Sequence, residues 1–165
     1  MYWGKKTIAG TVYGLTHLDP FIMSCPRTNA PPLRVKVEFG SHTFTESVLP
    51  HHGPDLIIRD GGKRRAFCLK RYVHSLHLPA AVQHAVGGDV HLSNGRMVLN
   101  ATVPGLVGPY LIAFNLRAQR TRTYDAVLTV VSAHHRPNLN QQLPRAKFTA
   151  VLSATLAGAA IRWKP

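Results

Sequence analysis

The stretch FNLRAQRTRTYDAVLTVV, residues 114–131, sets Arg117, Arg120 and Arg122 between two apolar, β-branched runs. Arginine presents a planar fork of donors that meets a phosphate with two parallel hydrogen bonds, and it stays charged at any ordinary pH. A second cationic set, Lys70, Arg71, His74 and His77, follows GGKRRAF, which carries Lys63, Arg64 and Arg65. Tyr72 and Tyr124 lie beside these groups, and a tyrosine ring can stack on an unpaired base. His134 and His135 close the apolar run that starts after Asp125. Histidine is the natural acid or base near neutral pH, so His134, His135 and His74 are the catalytic candidates. Lys70, Arg71, Arg117, Arg120, Arg122 and Tyr124 are the candidates for holding a nucleic acid. Together they supply what metal-free cleavage of RNA through its own 2′-hydroxyl requires: a base, an acid, and cations for the charge building on the phosphorane.

Metal chemistry has less to work with. Ten histidines are present, with His51-His52 and His134-His135 as adjacent pairs and His74 and His77 three apart. None falls in HExxH, and no cysteine or carboxylate set completes a recognisable site. Seven acidic residues in 165 argue against a two-metal centre built on carboxylates. No metal and no cofactor is expected.

The charge balance points the same way. Twenty Lys and Arg stand against seven Asp and Glu, a net charge of +13, so most cations have no carboxylate to pair with. Such a surface attracts nucleic acid or anionic lipid and repels itself when alone. The plainer alternative is that hairpin-tip arginines and wet helix faces serve only solubility. Hydrophobic residues make up 45% of the chain, which excludes intrinsic disorder and suffices for one packed domain. Cys25 and Cys68 match no metal or redox spacing and read as free thiols. The start, MYWGKKTIAGTVYG, has no apolar block after its lysines, and FTAVLSATLAGAAI is too short to span a bilayer. A cytoplasmic chain without membrane contact is expected.

These groups need elements to hold them. Leu33, Val35, Val37 and Phe39 alternate with Arg34, Lys36 and Glu38, the period of a strand with one wet face. Leu69, Tyr72, Val73 and Leu76 fall at i, i+3, i+4 and i+7, predicting an amphipathic helix whose other side carries Lys70, Arg71, His74 and His77. Pro79 ends it and opens a second short helix, roughly 79–86, which stops at Gly87-Gly88. Asn94-Gly95 between alternating runs predicts a hairpin with a type I′ turn. Longer strands follow over about 110–117 and 123–131, with Tyr110, Ile112, Phe114 and Leu116 on one face, matched by Tyr124, Ala126, Leu128 and Val130. A closing helix carries Phe148, Val151, Leu152, Thr155 and Leu156 and ends near Gly158. The expected fold is α+β: an antiparallel sheet, two short helices before the main strands and a C-terminal helix, in one domain. Residues 1–50 form a β-rich segment packed on a core of residues 51–165.

Two resemblances accompany these patterns. Two helices followed by antiparallel strands with a basic face, residues 67–135, resemble the RelE-like endoribonuclease toxins, which implies metal-free RNA cleavage and growth arrest. The segments THLDPF, FGSHTFTE, FCLKRYVHSLHLP and PRAKFTAVLSATLAGAAI look similar to a group of proteobacterial proteins, some labelled stationary-phase growth adaptation proteins. That label implies a role in stress adaptation and names no mechanism. The leading expectation is therefore an RNA-binding protein using a Lys70/Arg117/Arg122 groove, with cleavage as its extension. A non-catalytic nucleic-acid-binding or mobile-element accessory module, docking an acidic protein partner, is the alternative. An enzyme acting on a small anionic metabolite is a third class.

Overall fold

The computed structural model describes residues 2–138 and 142–165. Its strands are β1 (Lys5–Ile8), β2 (Thr11–Gly14), β3 (Phe21–Arg27), β4 (Ala30–Phe39), β5 (Thr45–Glu46), β6 (Ile57–Asp60) and β7 (Lys63–Phe67). Helices α1 (Leu69–Ser75) and α2 (Leu78–His84) follow, then β8 (Asp89–Ser93), β9 (Arg96–Ala101), β10 (Tyr110–Ala118), β11 (Ala126–His135), β12 (Arg145–Lys147) and α3 (Phe148–Ala157). The architecture is mixed α and β, dominated by sheet, with α3 near the C-terminal end. Strands β1 and β2 pair as a ribbon, and β5, β7 and β6 form a small sheet. The main sheet has seven strands in the order β12-β8-β9-β10-β11-β4-β3.

Two expectations need correction. The main sheet is not purely antiparallel, because β4 runs parallel to β11 from Val35 beside Ala126 to Phe39 beside Val130. Nor are the first fifty residues a segment laid on a finished core. Strands β3 and β4 extend the main sheet, and the valines and phenylalanine of β4 are buried in its centre. A parallel partner needs a long crossover, and here β5–β10 and both short helices lie between the two strands.

Local signals account for the rest. Asn94 and Gly95 take positive φ values of 49° and 71°, which a type I′ turn requires, and close Ser93 onto Arg96. In α3, Phe148, Val151 and Leu152 are buried against the sheet. Gly158 ends the helix in the left-handed region, where Ala159 N–H donates to the Ala154 carbonyl. On the same side, Tyr110, Ile112, Phe114, Ala126, Leu128 and Val130 fill the core. Each large apolar side chain so buried contributes about 1.5–3 kcal/mol.

Helix α1 is turned the other way from its apolar pattern. Leu69, Val73 and Leu76 are 55%, 47% and 48% exposed. The inward side carries Arg71, Tyr72 and Ser75 instead. Tyr72 packs against the Tyr13 and Phe67 rings, with centroids 5.1 and 5.7 Å away. The Ser75 hydroxyl lies 2.8 Å from His17 Nε2, and Arg71 Nη1 donates to the His42 carbonyl at 3.1 Å. Aromatic packing and directed hydrogen bonds thus hold the helix where an aliphatic stripe does not. The expected outcome in chemical denaturation is that Val73→Gln changes stability by less than about 0.5 kcal/mol. Leu78→Ala, at a fully buried position, costs about 2–5 kcal/mol.

Candidate nucleic-acid interface

Strand alternation divides the main sheet into a core face packed with α3 and an opposite, open face. The charged side chains of the open face are accessible, although Val98, Leu111, Val127 and Ser132 are buried. On the open face the pairing brings His91, Val98, Ala113 and Ser132 into one row, and Asn100, Leu111 and His134 into the next. Farther along lie Arg96, Asn115 and Arg117, then Lys36 and Glu38 on β4. Arg145 and Lys147 on β12 stand beside His91 and Asp89.

A β-bulge decides where His134 points. Phe114 pairs with Val130 and Ala113 with Ser132, so Val131 is left unpaired. Without that extra residue, strict alternation would send His134 toward the core with Ala126, Leu128 and Val130. With it, Ser132 and His134 turn outward and His135 turns to the helix side. The bulge also separates the two histidines chemically. His135 Nε2 is 2.7 Å from the Val107 carbonyl, so that ring is occupied in holding a loop. His134 lines a cleft of about 460 Å3 with Arg96, Arg136, Ser132, Val98 and Leu111 among its walls and floor. A smaller depression of about 190 Å3, bordered by His91, Asn100 and Arg145, adjoins it and shares Leu111 and Leu143.

Carboxylates are scarce around these cations. Lys36 pairs with Glu38 at 2.7 Å, and Asp89 takes Lys147 at 2.8 Å and Arg145 at 3.7 Å. Among the described residues, the guanidinium groups of Arg34, Arg96, Arg117 and Arg136 have no carboxylate within 4.0 Å. Burial holds the His134 imidazole below its ordinary value, and the charges of Arg71, Arg136 and His42 push it further down. His42 is lowered by burial, then by Arg65 and Arg71. Both rings are therefore neutral at neutral pH, and His134 is suited to accept a proton.

The structure does not bring Lys70, Arg117 and Arg122 into one groove. His74 packs edge-on against the Tyr110 ring at 5.7 Å, which puts α1 at the Tyr110 end of β10. Arg117 lies seven residues along that strand, roughly 23 Å at about 3.3 Å per residue. Arg122 is exposed in the β10–β11 connection beyond it. Arg120 lies in a separate cleft with Arg27, Asp125 and the α3 residue Leu156. Tyr124 sits beneath Lys36, whose Nζ is 5.6 Å from the ring centre, so that face of the ring is covered. Arg71 reaches inward and Lys70 outward on α1. His74, lowered by burial and then by Lys70, His135 and His77, faces the helix side and not the cleft. Of the three histidine candidates, only His134 lines the cleft with Arg96 and Arg136. Arg96, Arg136 and His42 were not singled out by the sequence. Arg96 follows the Asn94-Gly95 turn and Arg136 follows the histidine pair, so their nearness to strand ends was the available signal.

Other groups are less suited to chemistry. Cys25 is buried, with its thiol pushed up to about 11, and Cys68 is a free thiol half-buried before α1. Tyr110 is buried, and burial raises its phenol to about 12, too high to donate a proton readily near pH 7. No metal-ligating group of three or more His, Cys, Asp or Glu occurs among the described residues. No helix among them is long and apolar enough to cross a membrane.

The chain belongs to the YjaZ family. That family's model matches residues 5–156, a span that runs from the start of β1 to the penultimate residue of α3. No curated protein and no solved structure matches the chain.

The His134 environment makes a titration prediction. In NMR the ring titrates below 6.5, and Arg136→Ala moves it upward by removing a repelling charge. Because the folded value is depressed, the neutral ring's contribution to stability is fully present above 6.5. It is lost as pH falls through the lower folded value. A His134 that titrates at or above 6.5 would contradict the placement.

Proposed function

We propose that this chain is a cytoplasmic RNA-binding protein that holds a single strand along the open face of its main sheet. One observation carries the reading. Arg34, Lys36, Arg96, Arg117, Arg145 and Lys147 project on that face, with Arg136 at its end, and the same strands set only Glu38 and Asp89 against them. An open sheet face offers a broad track for a phosphate backbone, and cations without carboxylate partners release counterions when phosphates replace them. Few aromatic rings are free on this face, so backbone contact outweighs base stacking in the affinity.

A second reading adds cleavage, and His134 favours it. Its ring is neutral, lines a cleft beside Arg136, and makes no hydrogen bond among the described residues. In this reading His134 removes the 2′-hydroxyl proton, and Arg136 beside it stabilises the phosphorane. As the bond from phosphorus to the 5′-oxygen breaks, that oxygen leaves with a proton taken from water. Growth arrest and a role in stress adaptation would follow from such cleavage. An acidic protein covering the same face is the non-catalytic alternative, and binding competition separates it from RNA.

The test is a gel shift with labelled single-stranded RNA in EDTA. Binding is expected to weaken with salt, and Arg96→Ala or Arg117→Ala each to reduce the log–log salt slope by about 0.7. Arg64→Ala, on β7 of the small sheet, is expected to leave it unchanged. Absence of a shift at micromolar protein would overturn the binding reading. For cleavage, His134→Ala is expected to abolish products while keeping the shift; products that persist in His134→Ala would remove it as the base.

A further inference from the structure

The His134 cleft has more structure than a phosphate track needs. Its floor is sheet surface of Val98, Leu111 and Ala113, the first two 4% and 8% exposed, and Leu143 and Pro144 border it. Cations stand at opposite corners: Arg96 on β9 near the hairpin tip, and Arg136 beside the neutral His134 at the end of β11. By strand rise and spacing, the backbones of Arg96 and His134 are about 16 Å apart along the sheet diagonal. Arginine side chains reaching inward shorten the gap between charges to the size of one nucleotide with a phosphate on either side. Ser93, Asn94 and Ser132 supply hydroxyl and amide groups at the wall. A volume of about 460 Å3 falls in the range of pockets that enclose small organic ligands.

We infer that this cleft takes one unpaired nucleotide of the bound strand, its base on the Val98–Leu111–Ala113 floor and its flanking phosphates at Arg96 and Arg136. The inference rests on the RNA-binding reading and deepens it. A plain basic track would need neither the apolar floor nor walls. Here the base leaves water for the floor, while the two cationic corners fix the direction and spacing of the backbone on either side. Discrimination follows: a nucleoside lacks the phosphates, and inorganic phosphate lacks the base. Neither alone fills both parts of the cleft.

The experiment is calorimetric titration of the full chain with uridine 3′,5′-bisphosphate, adenosine 3′,5′-bisphosphate, uridine and inorganic phosphate, beside gel shifts with single-stranded RNA. At least one bisphosphate is expected to bind tenfold or more tightly than uridine or phosphate. Ala113→Trp, which fills the floor, is expected to abolish that binding and to weaken RNA about tenfold. Arg136→Ala, at an exposed position after β11, is expected to weaken both and decides the question if Ala113→Trp does not fold. RNA bound at full strength by both variants, or bisphosphates no tighter than phosphate, overturns the nucleotide cleft and leaves the basic face standing. RNA not bound by the parent chain overturns both.

Discussion

A seven-stranded sheet has two faces, and helices of 7, 7 and 10 residues cannot cover both. That constraint organises the molecule. The strands divide their side chains by alternation, one set going to the core with α3 and the other to the opposite face, where the charged residues are accessible although Val98, Leu111 and Val127 are covered. β10 does so with Tyr110, Ile112 and Phe114 inward and Asn115 and Arg117 outward. In β4, Val35, Val37 and Phe39 are buried while Lys36 and Glu38 remain partly accessible. Cations gathered on such a face repel one another, a cost that salt reduces and a polyanion removes.

The same constraint explains why one additional residue matters so much in β11. A strand that kept its alternation through Val131 would bury an imidazole among Leu128, Ile112 and Val130. The bulge releases it to the cleft and sends Ser132 out with it. Gly40 fits this arrangement closely. A Cβ there would stand 3.3 Å from the Val130 carbonyl oxygen, where β4 leaves the sheet and the chain turns toward His42. His42 follows the end of β4 in this parallel pair, and its charge is among those that lower His134. Arg71 of α1 donates to the His42 carbonyl there, and its charge lowers both rings.

Local chemistry was legible in the sequence; long-range placement was not. Asn94-Gly95, Gly158 and the alternation of β4, β10 and early β11 announced themselves through turn geometry and burial period. The parallel pairing of β4 with β11 left no local trace, because its partners are about ninety residues apart in the chain. α1 misled for a physical reason. Its Leu69, Val73 and Leu76 carry the aliphatic period, but Tyr72 and Ser75 have the better-matched neighbours in Tyr13, Phe67 and His17. The arginine cluster at 117–122 was a true surface feature placed in the wrong company. Seven residues of extended strand carry Arg117 far from Lys70, and it joins Arg96 and Lys36 instead. The extra residue at Val131 was equally silent, since a bulge shows only against the strand it faces.

The most direct measurement is a residue-by-residue NMR map of the chain with and without a short single-stranded RNA. Shifts are expected to concentrate on open-face positions of β8 to β11, including Arg96, Ala113, Arg117, Ser132 and His134, and on Arg136 beyond them. Shifts confined to α1, to α3, or to the β10–β11 connection around Arg120 and Arg122 would contradict RNA binding on the open face.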